Sequence, residues 1–107
     1  TRGIIGADEI GRMRAGALLV NTSRGPLVDE AALIAALRSG RIRAALDVYD
    51  GEPLPPGHPL LTAPNTVLTP HLGYGTVATY RDFYRQSVEN VLAFLDGKPI
   101  RVIEPGR

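Results

Sequence analysis

"ALLVNTSRGPLVDEAALIAALRSGRIRAALDV", residues 17–48, holds two short apolar runs on either side of one amphipathic stretch. Ala17-Leu-Leu-Val20 is continuous and apolar, too short for a helix and without alternation, as expected of a strand buried on both faces of a parallel sheet. Asp29 stands where an N-cap belongs and Glu30 complements the positive helix end. Leu33, Ala36 and Leu37 recur on one face, Arg38 comes late and Gly40 follows as the C-terminal glycine. Ala44-Ala-Leu-Asp-Val48 is a second buried strand. Strand, helix and strand at this spacing predict a right-handed crossover between parallel neighbours.

Outward from this unit the same rules apply. Ala7 to Arg14 has acids early, Ile10 and Met13 on one face, arginines late and Gly16 beyond, which predicts a short helix. Pro53, Pro55, Pro56, Pro59 and Pro64 exclude regular helix and strand between Gly51 and Asn65, leaving an ordered surface loop or a lid. Thr66 to Thr69 reads as a third strand closed by Pro70. From Thr76 the spacing Tyr80, Tyr84, Val88, Val91, Leu95 marks one face of a long helix that Gly97 and Pro99 end. Ile100 to Ile103 is read as a short terminal strand. The pattern is α/β: three parallel strands with intervening helices, half of a doubly wound sheet. Such a sheet needs further strands, and helices on both faces, to bury what these strands offer.

The 107 residues match one domain in size. The net charge is +1 and the basic residues are scattered among acids, so no nucleic-acid or membrane-surface footprint is read. No cysteine occurs, which excludes a disulfide framework and thiolate metal sites and fits a reducing cytoplasm. The expectation is no metal, no membrane and no nucleic acid. The chain starts Thr-Arg-Gly rather than with methionine and offers only half a sheet, so it reads as a piece of a longer protein.

In open parallel sheets, ligands bind beyond the carboxyl ends of the strands, and the polar residues gather there. The first strand runs into Asn21-Thr22-Ser23-Arg24, the second carries Asp47 toward Asp50 and Glu52, and the third leads to His71. Singly, each has an ordinary reading. Arg24 before Gly-Pro suits a solvated cation, Asp50 and Glu52 suit a turn, His71 suits a hydrogen-bonded histidine, and His58 suits a loop. Asp47 lies in an apolar run and requires donors, from the protein or from a ligand. Gly73 and Gly75 permit either a tight bend or close approach of backbone to a ligand. Jointly they describe chemistry. An arginine fork holds a planar carboxylate by two charge-assisted bonds, and a histidine beside a carboxylate serves as a proton donor. Together they form a site that protonates a carbonyl while holding an adjacent carboxylate.

The stretch from "RGIIGADEIGRMRAGALLVNTSRGPLVDEAAL" through "DVYDGEPLP" to "NTVLTPHLG" resembles the C-terminal part of the NAD(P)-dependent D-isomer-specific 2-hydroxyacid dehydrogenases. The likeness covers nearly the whole chain, with three motifs in order. It implies the second half of a Rossmann-like dinucleotide-binding domain over residues 1–75, then a long helix and tail, 76–107, returning toward a substrate domain. It implies Arg24 as anchor of the substrate carboxylate and carbonyl, Glu52 rather than Asp50 as support of the catalytic histidine, and His71 as acid/base. Asp47 would contact the nicotinamide carboxamide of NAD or NADP. Thr22, Ser23 and Arg24, with the bend from His71 to Gly73, would line the nicotinamide side. The substrate would be a small 2-oxo or 2-hydroxy acid, and the complete protein a cytoplasmic homodimer. No G-x-G-x-x-G occurs, so the likeness puts the pyrophosphate turn and the ribose-reading acid upstream of Thr1 and implies that the piece alone is inactive. Gly73-Tyr74-Gly75-Thr76 departs from the commoner G-G-A-T or A-G-A-T, which bears on the substrate rather than the chemistry.

Two rival readings use the same residues. Ser23, Asp47 and His71 follow the nucleophile, acid, base order of α/β-hydrolases, but "NTSRG" lacks the glycine two residues before the serine that the strained elbow requires. A dehydrogenase-like corepressor or scaffold retaining the same residues is the other, since fold and site do not by themselves establish turnover.

Overall fold

A computed structural model describes residues 1–104. The chain divides into two compact units, Thr1–Gly73 and the segment from Tyr74 onward. In the first unit helix α1 (Ala7–Arg12) precedes strand β1 (Leu18–Asn21), helix α2 (Glu30–Arg38), strand β2 (Arg43–Leu46) and strand β3 (Thr66–Leu68). The strands pair in parallel in the order β1-β2-β3, with Val20 beside Ala45 and Ala45 beside Val67.

α2 forms where its caps lie. The Asp29 side chain accepts from the Ala32 N–H at 2.9 Å, satisfying an end donor, and Gly40 leaves the helix at φ 69°. α1 ends at Arg12, two residues short of the expected Arg14, because Met13 turns to an extended conformation. Leu33 and Leu37 of α2 and Ile10 of α1 pack with Leu19, Ala44 and Leu46 on one face of the sheet, joined by Ile42 and Leu60. Each fully buried leucine or isoleucine among them contributes roughly 1.5–3 kcal/mol. Leu60 comes from the proline-rich stretch, which carries a short 3-10 turn over Pro59–Thr62 and so is anchored in the core.

Within this chain the strands are covered on one face only. Leu18, Val20 and Val67 are 52%, 59% and 64% exposed. They alternate with the buried set and Val20 and Val67 share a register row, so one side of the sheet is apolar and open while α1 and α2 cover the other. Period-two geometry sends neighbouring residues to opposite faces whether or not both are covered.

The second unit is helix α3 (Val77–Leu95), capped by Thr76, whose hydroxyl accepts from the Thr79 N–H at 3.1 Å. Tyr80, Tyr84, Val88, Val91 and Leu95 follow helical spacing along it. Residues 100–103 form no strand, contrary to the reading of the sequence. Arg101 adopts a left-handed φ of 54°, which interrupts an extended run, and its guanidinium is held by Glu89 at 2.7 Å and Asn90 at 2.8 Å. Among the described residues no helix is long and apolar enough to cross a membrane.

Candidate active site

Parallel pairing brings the three strand ends to one rim, and each loop beyond them is pinned by its own polar residues. Asn21 is 7% exposed. Its side chain accepts from the Ser23 N–H at 3.1 Å and donates to the Arg24 carbonyl at 2.9 Å, closing a turn that presents Thr22, Ser23 and Arg24. Arg24 is extended, and its Nη1 donates to the Ser23 carbonyl at 2.7 Å.

Gly25 is where this loop meets the next. A Cβ there would lie 1.9 Å from the Tyr49 carbonyl carbon. Backbone cannot yield as a flexible side chain does, so Gly25→Ala is expected to destabilise the domain by at least about 3 kcal/mol. Gly11→Ala is the control, because nothing lies within 4 Å of that Cβ and helix propensity favours alanine by roughly 0.5–1 kcal/mol. Thermal unfolding of the complete protein with either substitution tests this, and a Gly25→Ala midpoint equal to the parent's would refute the close approach.

Beyond β2, Asp47 is 6% exposed. Its Oδ1 accepts from the Thr69 hydroxyl and from the Leu72 N–H at 2.9 Å, and its Oδ2 accepts from the Gly73 N–H at 2.8 Å. The Thr69 hydroxyl first, then the Gly73 N–H, holds this carboxyl below the usual aspartate value. The donors that a carboxylate in an apolar run requires are therefore supplied by the loop after β3. Tyr49 ties the same two strand ends, its hydroxyl lying 2.8 Å from the Thr69 carbonyl and 3.1 Å from that of Leu46. Burial, then the Asp47 charge, pushes the Tyr49 phenol up.

Glu52 accepts from the Tyr49 N–H at 2.9 Å through Oε1 and meets His71 Nδ1 at 2.7 Å through Oε2. An ionised carboxylate only accepts, so Nδ1 carries the hydrogen and Nε2 is left for other partners. The His71 bond first, then the Tyr49 N–H, lowers the Glu52 carboxyl below the usual glutamate value, and the Arg24 charge adds to this. The His71 and Glu52 side chains are 39% and 33% exposed, so the pair is reachable from solvent. His71 is held at φ 56°, a left-handed conformation uncommon outside glycine, of the kind that concentrates at functional sites. Beside the pair lies an apolar cavity of about 320 Å³, lined by Leu54, Leu61, Leu68 and Pro70.

The other candidates separate from this centre. Asp50 turns outward to Arg2 rather than to His71. His58 pairs with Glu30 at 3.1 Å and accepts from the Leu60 N–H, fixing the proline-rich loop. Ser23, Asp47 and His71 do not assemble as a hydrolase triad, because His71 is bonded to Glu52 while Asp47 is bonded to Thr69, Leu72 and Gly73. Asn21, Gly25 and Tyr49 shape these loops without being candidates for the chemistry. The signal for the first two was local, an asparagine at a strand end and a glycine after the arginine; none marked Tyr49.

A carboxylate-held histidine and an arginine stand at the carboxyl ends of parallel strands, where α/β folds of the nucleotide-binding kind place their ligands. The profile of the D-isomer specific 2-hydroxyacid dehydrogenase NAD binding domain matches residues 1–73, and the chain belongs to that family. A glyoxylate/hydroxypyruvate reductase B from Enterobacter agglomerans is 48% identical over 99 residues, which cover 92% of this chain and 31% of that protein. A D-isomer specific 2-hydroxyacid dehydrogenase from Xanthobacter autotrophicus Py2, solved with NADPH and MES, is 46% identical with a TM-score of 0.71, over 98% of this chain and 43% of that one. The NADPH-dependent glyoxylate/hydroxypyruvate reductase from Sinorhizobium meliloti, solved with citrate, is 36% identical with a TM-score of 0.78, over 92% of this chain and 32% of that one. The chain thus spans about a third of the length of the curated relatives it matches.

Proposed function

We propose that this chain supplies the substrate clamp and the acid/base of an NAD(P)H-dependent oxidoreductase that reduces the C2 carbonyl of a small 2-oxo acid of the glyoxylate or hydroxypyruvate type. The observation that carries this reading is the 2.7 Å bond between His71 Nδ1 and Glu52 Oε2, on the rim that also bears Arg24. The names of the relatives support the substrate class.

Arg24 holds the substrate carboxylate by two charge-assisted bonds and so presents C2 in a fixed orientation. His71 donates its Nε2 proton to the oxygen that becomes the hydroxyl, and Glu52 keeps the ring oriented through Nδ1. In oxidation of the 2-hydroxy acid the same nitrogen takes the proton back. The residues fit a nicotinamide. A carboxylate offers about four acceptor sites, and Asp47 uses three on Thr69, Leu72 and Gly73, leaving one for a carboxamide N–H. Thr22, Ser23 and Arg24 on one side, and the bend from His71 to Gly73 on the other, would flank the ring. When bound, the reduced cofactor supplies the hydride that adds to C2.

The complete protein adds the rest of the cofactor sheet and a substrate domain, and it works as a cytoplasmic homodimer. The open apolar face of Leu18, Val20 and Val67 supports a larger sheet. Oxidation of NADH and NADPH by the complete protein, screened with glyoxylate, hydroxypyruvate and other 2-oxo acids, tests the reading and is expected to show turnover. Flat traces despite cofactor binding would favour a cofactor-responsive scaffold. The 107-residue piece alone is expected neither to bind NAD(P) tightly nor to turn over, and tight binding in calorimetry would overturn that.

A further inference from the structure

We propose that Arg2 is a positioning residue, and that its segment, Arg2 to Ile5, holds the Arg24 loop and the Glu52 turn in register with one another. The proposal deepens the functional reading above and rests on it for its effect on turnover. Arg2 Nη1 donates to both carboxylate oxygens of Asp50, at 2.9 and 3.0 Å. Asp50 lies two residues before Glu52, in the turn whose Tyr49 N–H holds Glu52 Oε1. On its other side the segment is stitched to the chain just beyond Arg24. The Gly3 N–H donates to the Pro26 carbonyl at 2.7 Å and the Ile5 N–H to that of Leu27 at 3.0 Å, while the Asp29 N–H donates to the Ile5 carbonyl at 2.9 Å.

One short segment therefore grips the loops that follow two different strands, and those loops carry the clamp and the support of His71. The Arg2 and Asp50 side chains are 73% and 43% exposed, and a pair that open adds little to global stability. A guanidinium nitrogen shared between both oxygens of one carboxylate instead ties the Asp50 turn to this segment. Position is what matters here, because a small displacement of a supporting carboxylate misaligns the proton donor it orients.

The test uses the complete protein carrying Arg2→Gln, Asp50→Asn, both together, and Arg2→Lys. Each single loss is expected to lower kcat about threefold to tenfold with KM for NAD(P)H within about twofold, since misalignment costs rate rather than cofactor affinity. The double variant should be no worse than either single one. Lysine keeps the charge on a shorter side chain that carries a single, more strongly hydrated donor, so Arg2→Lys should fall between the parent and Arg2→Gln. Hydrogen exchange gives a readout that does not depend on turnover: in Arg2→Gln the Tyr49 amide should exchange faster while the amides of α2 stay as protected as in the parent. Unchanged kcat, additive losses, or exchange that rises evenly across the domain would overturn the proposal. If the parent reduces no 2-oxo acid, the functional reading fails, and the Tyr49 exchange alone decides whether the brace exists.

Discussion

His71→Asn in the complete protein is expected to lower turnover by about 10²-fold or more while the domain stays folded. Asparagine is chosen because the backbone at this position is left-handed, at φ 56°. Apart from glycine, asparagine, aspartate and histidine tolerate that region best. Its amide can still donate to Glu52, which in the parent meets His71 at 2.7 Å, but it cannot release a proton to a developing alkoxide. The substitution therefore separates proton transfer from the geometry around it. Turnover near the parent's, with unchanged circular dichroism, would remove His71 from the acid/base role.

The same pair has a pH signature whose sign follows from Glu52. Its carboxyl titrates below its ordinary value, chiefly because it accepts from His71 and then from Tyr49. A group whose folded-state value is depressed contributes stability that is fully present above its unfolded value and is lost as pH falls through the folded one. The contribution is thus intact at neutral pH and disappears on acidification from about 4.5 downward. Asp47 behaves likewise, since its Thr69 and Gly73 bonds also favour the ionised form. Acid unfolding of the complete protein should accordingly be eased below that range.

Arg24→Lys is expected to lower kcat/KM for the 2-oxo acid by about 10²-fold, equivalent to roughly 2.7 kcal/mol of transition-state binding, with KM for NAD(P)H little changed. Lysine preserves the charge at the end of the Asn21 turn, yet it offers a point ammonium where a planar carboxylate calls for a two-pronged donor. The contrast with a solvated turn cation is sharp, because a surface substitution of that kind alters stability by less than about 0.5 kcal/mol and leaves the kinetics alone. Steady-state kinetics with substrate and cofactor varied separately decides between them. Equal kcat/KM for the lysine variant and the parent would return Arg24 to the surface.

Much of the fold was legible because its signals are local. Asp29, the spacing of Leu33, Ala36 and Leu37, and Gly40 bound α2 within a dozen residues, and Thr76 with the tyrosine and valine spacing does the same for α3. What was not legible is what a partner at a distance decides. An apolar run looks the same whether one face or two are covered, so the exposure of Leu18, Val20 and Val67 could not be read from it. Ile100 to Ile103 has strand-like composition but makes no strand, and Arg101 turns left-handed.

For the site, the order of residues along the chain already placed Arg24, Asp47, Glu52 and His71 at the ends of parallel strands, and so on one rim. Only the tertiary structure decided how they divide. It joined Glu52 to His71 across 19 residues of sequence and sent Asp50 to Arg2 across 48. It gave Asp47 to Thr69, Leu72 and Gly73, and it pressed Gly25 against Tyr49. Periodicity and capping act within a few turns of chain and are written in neighbouring residues, whereas a carboxylate's partner is whichever donor the fold carries to within hydrogen-bond reach.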